Sequence, residues 1–185
     1  MRIIAGLYRS RALDAPAGLA TRPTSDRLRE TLFNVLAPRI QGARFLDLFA
    51  GSGAVGLEAI SRGAAQVTFV EREPKAVVAL RGNIERLKIP SGFRIQPRTV
   101  AAYFKSSPSE AFDLIFLDPP YDEGAEYSAT LWALSAGASN LLAEDAVVIA
   151  EHRRKEPLES QYGKLKRTRL LEQGDAALSF YRTAY

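Results

Sequence analysis

Apolar and polar positions alternate along this chain in two rhythms. From Thr24, with Ser25 or Asp26 as the cap, Leu28, Leu32, Val35 and Leu36 recur at helical spacing until Pro38, which predicts a helix ending there. Short, almost wholly apolar runs then alternate with helical patterns. Strands are predicted over 44–49, 66–71, 93–96, 112–117 and 146–151, and helices over 54–62, 74–87, 100–105 and 127–134. Continuous apolar strands separated by helices require a parallel sheet covered on both faces. Before this core, residues 2–15 read as two short strands around Gly6–Ser10. After it, 164–171 and 177–185 read as a hairpin turning at Gln173-Gly174-Asp175. The expected fold is α/β, a Rossmann-like three-layer sandwich preceded by a small hairpin and helix. Repeats and linker-like tracts are missing, so one domain is expected, with 1–40 an extension and 41–185 the core.

Composition narrows the class. At 185 residues with 46% hydrophobic and 25% charged positions, the chain is neither disordered nor fibrous. Its apolar runs fall far short of the ~20 residues that cross a bilayer. The opening Met1-Arg2-Ile3-Ile4-Ala5-Gly6 has no signal-peptide core, so the cytoplasm is the expected compartment. With no Cys and one His, a zinc or iron–sulfur site is not expected. The net charge of +4 is unevenly spread: 1–44 carry +5, 45–151 carry −5 and 152–169 carry +5. An acidic centre between basic flanks suits a small-molecule site beside a surface for a polyanion, because Lys and Arg gain affinity by releasing phosphate counterions. Arg9 and Arg11 in the first flank and Arg153 and Arg154 in the second are the candidate contacts.

Ligands of parallel α/β sheets lie beyond the carboxyl ends of the strands. There the first core strand runs into Asp47-Leu48-Phe49-Ala50-Gly51-Ser52-Gly53-Ala54-Val55-Gly56, a G-x-G-x-x-G turn. Glu71 ends the next strand, where a carboxylate accepts both hydroxyl protons of a ribose. That much also describes a dinucleotide dehydrogenase. Asp47 disfavours it, since a carboxylate repels a pyrophosphate. S-adenosylmethionine, with a sulfonium, an ammonium and no phosphate, suits it better.

The fourth core strand ends in Asp118-Pro119-Pro120-Tyr121. An exocyclic amino group of a nucleobase is a poor nucleophile because its lone pair is delocalised into the ring. Asp118 and the Pro119 carbonyl can accept its two N–H protons and aim the lone pair at a methyl donor. Proline fixes the carbonyl's direction, and Tyr121 offers a stacking face worth ~1–3 kcal/mol to a flipped base.

Three stretches together resemble the RsmD family of ribosomal RNA methyltransferases: Arg22-Pro23-Thr24-Ser25-Asp26-Arg27-Leu28-Arg29-Glu30-Thr31-Leu32-Phe33-Asn34, Asp47–Gly53, and Asp118–Tyr121. The resemblance implies a class I methyltransferase fold with a seven-stranded sheet whose last strand is antiparallel. It further implies methylation of the 2-amino group of one guanine in 16S rRNA, on a small ribosomal subunit or its assembly intermediate. S-adenosyl-L-methionine would be held by Asp47, Gly51, Gly53 and Glu71, with Phe49, Ala50, Ser52 and Arg72 beside them. Asp118, Pro119, Pro120 and Tyr121 would hold the base, and Arg22, Thr24 and Arg27 would border the site. Related enzymes often place Asp or Asn against the adenine after strand three, where this chain has Gln96-Pro97-Arg98-Thr99, so that contact stays unassigned.

An adenine 6-amino methyltransferase acting on DNA could use the same four-residue box, and a non-catalytic ribosome-assembly binder could keep the same fold. The remaining conspicuous residues read more simply. His152, followed by Arg153-Arg154-Lys155, is expected to face solvent or RNA. Trp132 is expected in the core. Lys164, Lys166, Arg167 and Arg169 fit either a solvated edge strand or phosphate contacts. A monomer is the default.

Overall fold

The computed structural model describes residues 1–16, 24–106, 108–120 and 123–184. Eight strands form one sheet in the order β3-β2-β1-β4-β5-β8-β7-β6. In chain order the elements are α1 (Asp26–Ile40), β1 (Arg44–Leu48), α2 (Ala54–Ser61), β2 (Gln66–Val70), α3 (Pro74–Leu87), β3 (Phe93–Gln96), α4 (Val100–Lys105), β4 (Phe112–Leu117), α5 (Gly124–Ser135), β5 (Leu142–Arg153), β6 (Gln161–Tyr162), β7 (Leu165–Gln173) and β8 (Ala176–Thr183). Strands β1 to β5 pair in parallel, whereas β8 is antiparallel to both β5 and β7. This is the Rossmann-like methyltransferase architecture expected from the strand–helix alternation, with a two-residue strand, β6, as an eighth member.

Strand alternation sorts the core into two layers. Phe45, Phe69, Phe116 and Ile149 pack against α1, α2 and α3 on one face. Leu48, Leu117, Val148 and Ala150 pack against α4 and α5 on the other. Both layers are predominantly apolar, which is why the central strands lack a polar face.

Three expectations are corrected and one is refined. The N-terminal hairpin is present but short: its arms meet at one bridge, Arg2↔Ala12, flanked by Ile3 N–H to the Arg11 carbonyl at 2.9 Å and Leu13 N–H to the Met1 carbonyl at 3.0 Å. Beyond these pairs its donors turn to α2: the Glu58 carboxylate accepts from Ile4 and Ala5 at 2.8 and 3.0 Å, and Ser61 Oγ accepts from Tyr8. Helix α1 runs through Pro38 to Ile40, because Ile40 is buried and the missing proline N–H costs one bond in the last turn. Trp132 is 54% exposed. The buried stripe of α5 is Tyr127, Thr130, Leu131 and Leu134, and Trp132 flanks it with its ring edge-on to Tyr162. His152 is buried rather than exposed, since β5 extends to Arg153 and pairs with β8; its Nε2 lies 2.9 Å from Ser179 Oγ. Burial lowers its pKa, so it is neutral near pH 7.

No helix among the described residues is long and apolar enough to cross a membrane.

Candidate functional site

A cavity of about 770 Å³ opens beyond the carboxyl ends of β1, β2, β4 and β5. Each of these four strands carries an acid within its last three residues or directly after it: Asp47, Glu71, Asp118 and Glu151.

The turn after β1 is shaped by three unusual backbones. Phe49, Gly51 and Gly53 all have positive φ, and a Cβ on Gly53 would stand 2.3 Å from Leu80 Cδ1. At Gly56 the conflict is with Phe69, also at 2.3 Å, so this third glycine lets α2 pack onto β2. Phe49 in the left-handed region is strain stored where the chain turns to line the cavity. Two carboxylates hold the turn. Asp47 Oδ2 accepts from the Gly56 N–H at 2.9 Å. Glu71 accepts from the Gly51 N–H at 2.7 Å and, through its other oxygen, from the Glu73 N–H at 2.8 Å.

Asp47 and Asp118 hold a proton more tightly than an ordinary carboxylic acid. Burial, partly offset by the Gly56 N–H and reinforced by the charge of Glu71, pushes Asp47 up to about 7. Asp118 is raised well above the carboxylate range by burial, then by the charges of Glu151 and Asp47. An electron-rich wall of this kind attracts a cation and disfavours a phosphate.

Asp118, Pro119 and Pro120 line the same cavity, with Phe49–Ser52, Glu71 and Arg72 across from them. Arg72 forms an ion pair with Glu123, which joins the end of β2 to the segment following the Asp-Pro-Pro box. Tyr121 and Arg22 lie outside the described residues.

The basic candidates divide by place. Thr24 lines the cavity, and its hydroxyl donates to Glu151 Oε2 at 2.6 Å. Arg27 is exposed on the first turn of α1, while Arg29 points inward beside Glu58. Arg153 lines the cavity, and Arg154 pairs with Glu172. Arg9 and Arg11 sit elsewhere: their loop packs on Ser61 at the far end of α2, about 12 Å along that helix from the glycine turn. The β7–β8 hairpin turns at the cavity side, where Arg154 N–H bonds the Asp175 carbonyl. Arg169 is therefore nearer the cavity than Lys164 and Lys166, whose end of β7 faces the opposite edge.

Sequence reasoning missed two residues. Asn83 is buried on α3; its amide donates to the Ser52 carbonyl at 3.1 Å and the Asp14 carbonyl at 3.0 Å, and its oxygen accepts from Asp14 N–H at 2.8 Å. It ties the glycine turn to the N-terminal segment, whose Ala15 and Pro16 form a cavity wall. An amide interrupting the stripe Ala76, Leu80, Leu87 was the available signal. The other is Glu151, the fourth acid at a strand end, 3% exposed behind Thr24.

A glycine turn, strand-end acids and an Asp-Pro-Pro box around one cavity on this sheet define an S-adenosylmethionine-dependent methyltransferase. Over residues 1–182 the chain matches the family described as Conserved hypothetical protein 95, and it belongs to that family of RsmD-like methyltransferases. It is 36% identical over 184 residues to "Putative rRNA methyltransferase YlbH" of Bacillus subtilis, covering 98% of each chain. Ribosomal RNA small subunit methyltransferase D of Haemophilus influenzae is 38% identical over 161 residues, 85% of this chain and 81% of that one. Among solved structures, "Putative methyltransferase yhhF" from Escherichia coli superposes with a TM-score of 0.86 at 33% identity, over 99% of this chain and 97% of that one. SMU.776, "a putative methyltransferase complexed with SAH", shares the fold at 17% identity and a TM-score of 0.68 over 83% of this chain and 48% of its own.

Proposed function

We propose that this chain methylates the exocyclic 2-amino group of a guanine in 16S rRNA, acting on the small ribosomal subunit or its assembly intermediate in the bacterial cytoplasm. The observation that carries the reading is the position of Asp118, at the end of β4 inside the same cavity as Asp47 and Glu71. The identity to rRNA methyltransferases supports the substrate class.

The donor set fits S-adenosyl-L-methionine. Asp47 presents a buried carboxylate and Glu71 a fixed one, whose remaining lone pairs suit ribose hydroxyls, and the cavity is large enough for a nucleoside with its amino-acid tail. When bound, it supplies a methyl group already activated by a sulfonium. Phe49, Ala50, Gly51, Ser52 and Gly53 would form its backbone cradle, with Arg72 at the edge. Asp118 accepts one N–H of the target amine, the Pro119 carbonyl accepts the other, and Pro120 fixes the path on to Tyr121, which stacks on the base. Holding the nitrogen in line is the main contribution to rate, since orientation alone is worth up to ~7–11 kcal/mol. Residues 41–185 act as the catalytic unit. The RNA-facing surface is built from Arg22, Thr24 and Arg27 with Arg153 and Arg154, and Arg9 and Arg11 meet RNA farther from the target base.

The test is transfer of a labelled methyl group from S-adenosylmethionine to unmodified small subunits, naked 16S rRNA and duplex DNA, followed by digestion to nucleosides. Label in 2-methylguanosine from subunits is expected. Label in methyladenosine, or from DNA alone, overturns the substrate; cofactor binding with no label anywhere overturns catalysis. In the same assay, Asp118→Ala should keep cofactor affinity and lose transfer about a hundred-fold or more, as a charge-assisted bond worth ~1.5–3 kcal/mol and the in-line orientation are both lost.

A further inference from the structure

Residues 164–169 carry four cations, Lys164, Lys166, Arg167 and Arg169, and the sheet sorts them by face. Residues directly opposite in an antiparallel pair share a face. Lys166 lies opposite Arg182 and Arg167 opposite Tyr181; Thr168 is then passed over, and Arg169 lies opposite Phe180 and Leu171 opposite Leu178. Leu178 and Phe180 belong to the layer under α1, and Tyr181 to the layer under α5. Strict alternation would leave Arg169 with Arg167 on the α5 face. The bulge at Thr168, whose hydroxyl donates to the Phe180 carbonyl at 3.4 Å, turns Arg169 onto the α1 face with Lys166. Arg167 is engaged on the other side, half-buried, with its guanidinium donating to the Leu158 carbonyl at 3.1 Å.

Both cations on the α1 face are exposed. Two nearby acids are already taken, Asp145 by Arg182 and Glu172 by Arg154, each at 3.3 Å. Among the described residues, Lys166, Arg169 and the exposed Arg27 form no ion pair. Register places them relative to the cavity. Phe180 is also opposite Ile149, so Arg169 lies about 7 Å down the strands from the level of Glu151 and about 10 Å across two strand spacings, with Lys166 about 7 Å lower still. Arg27, on the first turn of α1, follows Thr24 at the cavity wall. One turn on, the Thr31 hydroxyl donates to Gln173 at 2.8 Å, which holds α1 beside the end of β7.

We propose that the bulged face of β7 is a phosphate-binding strip on which the rRNA backbone lies while its target base occupies the cavity, with Arg169 and Lys166 as successive contacts and Arg27 joining the strip to the cavity mouth. The inference rests on the rRNA-methylation reading above. Unmatched cations in a row gain affinity by displacing the counterions of a polyanion, and they fix its path without reading bases. A protein partner fits less well, because the core of a protein interface is poor in Lys and needs an apolar anchor. The exposed Leu170, opposite Ser179, points to the other face.

The experiment measures binding of naked 16S rRNA to the full chain across a salt series, with methyl transfer to small subunits read separately. Lys166→Ala/Arg169→Ala should weaken rRNA binding roughly five-fold or more at low salt and lower the salt slope by about two, with S-adenosylmethionine affinity at the parent's value. Two variants separate place from bulk charge. Lys164→Ala removes a cation outside the strip and should bind rRNA as the parent does. Arg169→Ala/Leu170→Arg moves one cation to the opposite face at constant net charge and should bind as weakly as Arg169→Ala. Recovery in that variant, or parental binding by Lys166→Ala/Arg169→Ala, overturns the proposal. Parental binding of naked rRNA with transfer to whole subunits lost also overturns it and gives the strip to an acidic protein of the subunit. Aggregation with parental rRNA binding overturns it too, leaving the bulge and its cations to guard the open edge of β7 against other strands. Because binding is read without methyl transfer, this test can fail while the labelling experiment succeeds, or the reverse.

Discussion

Replacing Asp47 by Asn should make the empty protein more stable and the working protein worse. Asp47 is 2% exposed, and its affinity for a proton is raised from an ordinary 3.8 to about 7. At ~1.4 kcal/mol per pH unit, ionising it in the folded chain costs on the order of 4 kcal/mol above pH 7. The folded chain holds this proton longer than the unfolded one, so the penalty is absent below about pH 4, grows to about pH 7 and is constant beyond. Asparagine keeps an acceptor for the Gly56 N–H and removes the charge. For a chain of this size each kcal/mol moves Tm by ~2–4 °C, so Asp47→Asn should melt roughly 10 °C higher than the parent at pH 8 and at nearly the same temperature at pH 4. Thermal melts over that range provide the first readout, and calorimetric titration with S-adenosylmethionine the second. Affinity should drop ten-fold or more, the worth of one charge-assisted bond at ~1.5–3 kcal/mol. A melting difference independent of pH, or a variant less stable than the parent at pH 8, would refute the view of Asp47 as a strained anion waiting for a cation.

Other consequences are equally direct. Asn83→Ala leaves the Ser52 carbonyl without its amide partner and frees Asp14, costing about 2–4 kcal/mol in urea unfolding; cofactor affinity should weaken with it, and unchanged affinity would confine Asn83 to stability. Glu58→Ala leaves Arg29 buried beside only the half-exposed Asp26 and should cost ~3–5 kcal/mol, visible as an early denaturant midpoint. Arg27→Ala should lower rRNA affinity and the salt slope by about one counterion. Arg9→Ala should leave single-turnover transfer to a short rRNA fragment unchanged and act only on whole subunits, since its loop lies at the far end of α2.

The sheet was legible because nearly every core strand is apolar on both faces and bounded by glycine, proline or an acid. The candidate site was legible for a related reason: a carboxylate closing an apolar strand has no packing role, and Asp47, Glu71 and Asp118 were recognisable as such. Glu151 carries the same mark but is followed by His152-Arg153-Arg154, whose basic character drew attention to the surface. The errors share one cause, tertiary cover that no local pattern announces. His152 is enclosed by β8, which pairs with β5 from far along the chain. Trp132 is left outside because its neighbours Leu131 and Leu134 already fill the seam under α5. The N-terminal hairpin stays short because Glu58 and Ser61 take the amides of Ile4, Ala5 and Tyr8, leaving Ile3 and Leu13 to pair across its arms.

Strand β8 follows β7 in sequence yet lies between β7 and β5. During synthesis the edge of β5 that carries Glu151 therefore stays bare until residues 176–183 have left the exit tunnel, and β7 has no neighbour beyond the short β6 to hold it. An unpaired edge of this length is sticky and open to proteases. A nascent chain stopped before β8 should be cleared rather than accumulate as a half-built enzyme, so whole molecules alone would persist.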